Sequence, residues 1–154
     1  MPNMKLISIC GALLLGLCTT GSAFASPIDE AKAMVDQGQR LFAQSQTKKG
    51  EDRTKKLVHS ATKFARAYAL ILARNLKNDA PDLFKLIEKR INELVKLPAL
   101  KAERQKTRTE ALKATSEGRL TAAYDLFARL RDLDPRDQTI EYILGVIGQR
   151  METK

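Results

Sequence analysis

Residues 104–150 read RQKTRTEALKATSEGRLTAAYDLFARLRDLDPRDQTIEYILGVIGQR. Two apolar series recur in this stretch at helical spacing: Ala123, Tyr124, Phe127 and Leu130, then Ile140, Ile143, Leu144 and Ile147. Each series marks a helix with one buried face. Gly118 separates the first series from a charged segment upstream, and Asp134-Pro135 separates the two series. The stretch therefore predicts three helices, at about Ala99–Glu117, Thr121–Leu133 and Pro135–Arg150. Asp134 before Pro135, with Asp137 three residues on, forms a capping arrangement between the last two. Connections this short imply antiparallel neighbours.

Upstream the same reading continues. Leu83, Phe84, Ile87, Ile91 and Leu94 predict a helix over Pro81–Lys96, which Pro98 ends or resets. A longer helix is expected over Lys55–Asn78. The first is expected to open at Ser26-Pro27, where Ser caps, Pro fits the first turn, and Asp29 and Glu30 favour the positive helix end. Its apolar face would be Ala31, Met34, Gly38, Leu41 and Phe42, and the polar stretch Gln44–Arg53 reads as a loop. No run of alternating apolar and polar residues is bounded by hairpin turns. The fold class is all-α: antiparallel helical hairpins, about six helices in one domain over residues 26–154, with an N-terminal part (26–97) and a C-terminal part (98–154).

Residues 104–150 resemble a tetratricopeptide repeat followed by the first helix of another. In that family a 34-residue helix-turn-helix unit places small residues where its helices cross and a proline at the next boundary. Ala111 fills the first small site, Gly118 the turn, Ala123 the second small site, Phe127 the aromatic four residues later and Pro135 the boundary; the register then puts Leu144-Gly145 on the family's Leu-Gly pair. Thr107, Glu110 and Ala114 depart from the Trp, Leu and Tyr the family prefers there. The resemblance implies a groove that holds a peptide segment of a protein partner, with Arg104, Thr107, Arg108, Ala111 and Lys113 as contacts.

Residues 1–25 read as a secretory signal peptide. Lys5 is the positive start, Leu6–Leu17 the apolar run, and Ala23-Phe24-Ala25 the small-x-small cleavage site. The apolar run is shorter than a bilayer requires, so no transmembrane segment is expected after cleavage. Cys10 and Cys18 leave with the signal, and the remaining 129 residues contain no thiol, which places stability on a hydrophobic core and not on disulfides. Lipidation at Cys18 is the alternative, but Leu17 stands where a small residue is required. The expected location is the periplasm or the medium.

Net charge is +9, and +8 once Lys5 is removed. Residues 46–75 carry eight Lys or Arg against two acids, whereas residues 120–154 carry five against six. On the second helix Leu57, Ala61, Phe64, Tyr68, Ile71 and Leu72 share one side, and Lys56, His59, Lys63, Arg66, Arg74 and Lys77 the other. That basic ridge serves either as a solvated face or as a footprint for an anionic lipid, an envelope polymer or an acidic protein segment. Nucleic acid is disfavoured, because no aromatic residues interleave the ridge to stack bases.

Recognisable chemistry is sparse. His59 is the only histidine, so a two-histidine metal site cannot be built. Neither a Gly-x-Ser-x-Gly turn nor a phosphate-cradling glycine loop occurs. Asp132 with Asp134, and Glu88 with Glu93, read as solvating and capping groups. The expectation is a non-enzyme without cofactor or metal that binds a protein partner as an adaptor or assembly factor of the bacterial envelope. The alternative is a basic periplasmic holdase chaperone or anionic-surface-binding protein using the ridge. N-terminal sequencing of the exported protein should read Ser26-Pro27-Ile28; a lipid-modified Cys18 would replace the soluble form with an anchored one.

Overall fold

A computed structural model of the chain describes residues 26–153. The leader read at residues 1–25, with its two cysteines, lies outside the described residues. Six helices follow in order: α1 Pro27–Gln46, α2 Gly50–Ala73, α3 Pro81–Val95, α4 Pro98–Ser116, α5 Leu120–Leu133 and α6 Gln138–Glu152. The protein is all-α, its helices packed in consecutive antiparallel pairs.

The local chemistry explains most of the boundaries. Ser26 Oγ accepts from the Asp29 amide at 3.1 Å, and Pro27 occupies the first turn of α1. Pro81 and Pro98 open α3 and α4, where a missing amide hydrogen costs nothing. Asn75 and Gly118 end α2 and α4 in the left-handed region, at φ 54° and 70°. In both turns the next residue reaches back: Leu76 N donates to the Ile71 carbonyl and Arg119 N to the Ala114 carbonyl, each at 2.9 Å.

Three boundaries differ from the sequence expectation. The polar stretch Gln44–Arg53 is not a loop: only Thr47–Lys49 separate α1 from α2. Gln, Lys, Arg and Glu are good helix formers, so losing the apolar face there does not end the helix. The second helix stops five residues before Asn78, because Asn75 closes it. The last helix starts at Gln138, not Pro135, and Asp137 is its cap, accepting from the Thr139 amide at 3.1 Å.

Helix α2 is the centre of the fold and packs against α1, α3, α4 and α5. Its approach to α1 is close. A Cβ on Gly38 would lie 2.8 Å from the Phe64 ring, and Ser60 Oγ donates to the Gly38 carbonyl at 2.8 Å. Around this crossing Ala31, Val35, Leu57, Ala61, Phe64, Ala67 and Ile71 join Phe84, Ile87, Ile91 and Leu94 of α3 in one core. A second core holds Ala111 and Ala114 of α4, Ala123, Phe127 and Leu130 of α5, and Ile140, Leu144 and Ile147 of α6. Leu133 of α5 crosses into the first core and Leu100 of α4 does the same, which ties the two parts together.

Among the residues expected to pack the C-terminal hairpin, Ala123, Phe127 and Leu144 are buried and Gly118 makes the turn. Gly145 is not a packing residue: it is exposed, and an added Cβ would meet nothing within 4 Å. Pro135 lies in the α5–α6 turn and is half-buried.

Replacing Ala123 by Leu overpacks a fully enclosed site and should cost about 1–3 kcal/mol. Gly118→Val puts a branched side chain in the left-handed region and should also destabilise. Ala102→Leu, on the exposed side of α4, should stay within about 0.5 kcal/mol of the parent. Equal melting temperatures for all three would contradict this packing.

Candidate functional site

Two sets of residues were expected to meet a partner, and the structure redistributes both. In the groove set, Thr107 is 1% exposed and Ala111 0%, so neither reaches a partner. The Thr107 hydroxyl turns inward along its own helix and donates to the Glu103 carbonyl at 2.9 Å. Arg104 and Arg108 do line a shallow polar groove with Lys101, Gln105, Asp134 and Asp137. Both arginines are engaged there: Arg104 contacts Asp134 at 2.9 Å and the Val95 carbonyl at 3.1 Å, and Arg108 contacts Asp137 at 3.2 Å. Arg136 adds a 2.7 Å bond to Asn92 Oδ1 of α3. These contacts clamp the α5–α6 turn from α3 and α4, a structural task for the arginines. Lys113 stays exposed near the end of α4, 3.9 Å from Glu117.

The basic ridge divides because α2 is flanked on several sides. Lys56 and Lys63 lie half-buried, and Arg74 is the exposed C-cap of α2. Among the described residues none of these three has a carboxylate within 4 Å. Lys77 falls beyond the helix and sits 4.8 Å above the Phe84 ring, which also stacks on Tyr68 at 5.4 Å. Arg66 turns toward α5, 3.9 Å from Asp132. His59 lines a crevice of about 250 Å³ with Glu51, Thr54, Lys55 and Val58 of α2, Glu103 and Lys106 of α4, and Arg129 of α5.

A further groove, of about 510 Å³, was not legible in the periodicity. Ala65, Arg66, Tyr68, Ala69 and Leu72 of α2 form one side, and Arg131, Asp132, Pro135 and Glu141 close the other. Leu72, placed on the buried side by helical spacing, is 47% exposed at this groove. The core shared with α1 and α3 takes Ile71 and Tyr68 of this stretch, whereas Leu72 lines the side toward α5 and the α5–α6 corner. The sequence signal was present in the apolar arc of α2, which is wider than one neighbouring helix can cover.

The groove also holds a carboxyl perturbed by its surroundings. Burial pushes Asp132 above the usual carboxylate range, against the opposing pull of Arg131 and Arg66. Among the described residues no group of three His, Cys, Asp or Glu is placed to hold a metal ion. No described helix is long and apolar enough to cross a membrane. No family model, no curated protein and no solved structure matches this chain.

The folded state favours protonated Asp132, so this group adds stability below the carboxylate range and loses it as pH rises through the raised pKa. Asp132→Asn removes the charge and keeps the shape. It should melt above the parent at about pH 7 and match it near pH 3, where the parent's carboxyl is protonated in both states. A lower melting temperature at neutral pH would show that the two arginines outweigh burial.

Proposed function

We propose that this chain is a non-enzymatic, exported helical module that binds a protein partner, using the groove between α2 and the α5–α6 corner. The observation that carries the reading is the combination of an exposed apolar floor with a rim of mixed charge. Leu72, Ala69 and Tyr68 offer apolar area, while Arg66 and Arg131 alternate with Asp132 and Glu141 around them. An apolar centre ringed by polar groups is the usual anatomy of a protein-binding surface. Such a rim fixes the register of a peptide or helix and the floor supplies affinity.

A tetratricopeptide-like arrangement of the C-terminal part belongs to the same proposal. It is supported by the α4–α5 hairpin with a left-handed Gly118 turn, buried Ala111 and Ala123 at the crossing, and Phe127 and Leu144 in the shared core. The leader read in the sequence supports placing that adaptor or assembly factor in the envelope. A second reading, a holdase or anionic-surface binder, is favoured by one observation: Lys56, Lys63 and Arg74 lack carboxylate partners among the described residues.

A photo-crosslinking residue at position 72 should give a discrete protein adduct in the envelope, and one at exposed Ala102 should not. Ala69→Asp with Leu72→Asp should weaken capture about tenfold or more while the helical circular dichroism persists. Binding in the groove should change little between about 0.1 M and 1 M salt, over which the screening length falls from about 10 Å to about 3 Å. Equal adducts at both positions, or capture lost in salt and kept in the double variant, would transfer the function to the cationic surface.

A further inference from the structure

The crevice at His59 has features that neither the apolar groove nor the clamped α5–α6 turn accounts for. It assembles side chains from three helices. Lys55 and His59 are one turn apart on α2, Glu103 and Lys106 one turn apart on α4, and Arg129 comes from α5. Three permanent cations and a histidine therefore face two carboxylates.

Each carboxylate is already matched. Glu51 lies 2.9 Å from Lys55 Nζ, and Glu103 lies 2.5 Å from Arg129 Nη2. The hydrogen bond and charge of Lys55 hold Glu51 below the usual carboxylate range, and Lys106 is near enough to contribute to that lowering. Lys106 itself has no carboxylate within 4 Å among the described residues. The residual positive charge of the crevice thus resides on Lys106, with His59 opposite as a further donor when its imidazole hydrogen points inward. The space, about 250 Å³, is several times the roughly 30 Å³ that one water occupies in the liquid, room for a tetrahedral oxyanion and part of its hydration.

We propose that this crevice between α2, α4 and α5 binds a phosphate group, held by Lys106 and His59, with Lys55 and Arg129 completing the cationic wall. A phosphate presents several strong acceptors to donors converging from different helices. Lys106 and Lys55 act as point charges; Arg129 keeps Glu103 neutralised and supplies its remaining guanidinium hydrogens. Lys56 and Lys63, on the same helix as His59 and without a carboxylate within 4 Å among the described residues, raise the local anion concentration. A soluble phosphate compound and a phosphate-bearing lipid head group share this chemistry. The site is separate from the Leu72 groove, so either can fail without the other.

The test is a titration of the purified protein with inorganic phosphate, followed by amide chemical shifts. Saturable shifts are expected on residues 51–59 and 103–106, with a dissociation constant on the order of 1 mM. Lys106→Gln should weaken binding about tenfold and His59→Gln several-fold. Lys96→Gln, an exposed change at the end of α3, should leave it unaltered. Circular dichroism and melting confirm that each variant folds. Co-sedimentation with phosphatidylcholine vesicles containing phosphatidic acid, reduced by Lys106→Gln and by free phosphate, would assign the ligand as a head group. Localised shifts without co-sedimentation would assign a soluble phosphate compound. Shifts that do not saturate, or that respond equally to Lys106→Gln and Lys96→Gln, would overturn the proposal.

Discussion

The contact between Gly38 and Phe64 governs how close α1 can come to α2, and with it the shape of the N-terminal part. No other residue type leaves the space that the Phe64 ring occupies. The short distance also brings the Ser60 hydroxyl to the Gly38 carbonyl, a buried pair that fixes the register of one helix along the other. With α1 set tightly on one side, the remaining surface of α2 is free for α3, α4 and α5. A wider spacing would leave Phe64 without its seat and displace the helices that pack around it. Two hollows open beside α2, one at Leu72 near its C-terminal end and one at His59 nearer its N-terminal end.

Charge is partitioned in a related way. Arginines near the junction of the two parts are consumed by structure: Arg104, Arg108 and Arg136 fasten the α5–α6 turn to α3 and α4 through Asp134, Asp137 and Asn92. Pairs this exposed contribute about 0–1 kcal/mol each, so their effect lies more in orientation than in stability. Lys56 and Lys63 on α2 and Lys106 on α4 have no carboxylate within 4 Å among the described residues. Helices α2 and α4 therefore carry most of the net positive charge of the protein, while residues 120–154 stay near neutrality.

Burial of Asp132 beside Arg66 and Arg131 shows the opposite economy. There the groove wall holds a carboxyl that desolvation disfavours in its charged form, despite two cations nearby. A peptide partner with a basic group would compensate that loss, whereas an acidic one would not.

The number of helices and most of their starts were legible in the sequence because their causes are local. Ser26, Pro27, Pro81, Pro98 and Gly118 act through backbone geometry and capping, and the apolar spacing of α3, α5 and α6 reports one buried face each. The all-α class and the order of six helices followed from those signals alone. Periodicity failed where more than one neighbour competes for a helix. Leu72 reads as core and is exposed, and Lys77 reads as part of a ridge and rests on Phe84; Thr107, a contact only by the family resemblance, is buried. The union of Lys55, His59, Lys106 and Arg129 was likewise invisible, since they are up to 74 residues apart and meet only through the packing of α4 and α5 on α2. Local sequence sets which face of a helix is apolar; which part of that face is covered depends on how the helices approach one another, and at the α1–α2 crossing Gly38 sets that approach.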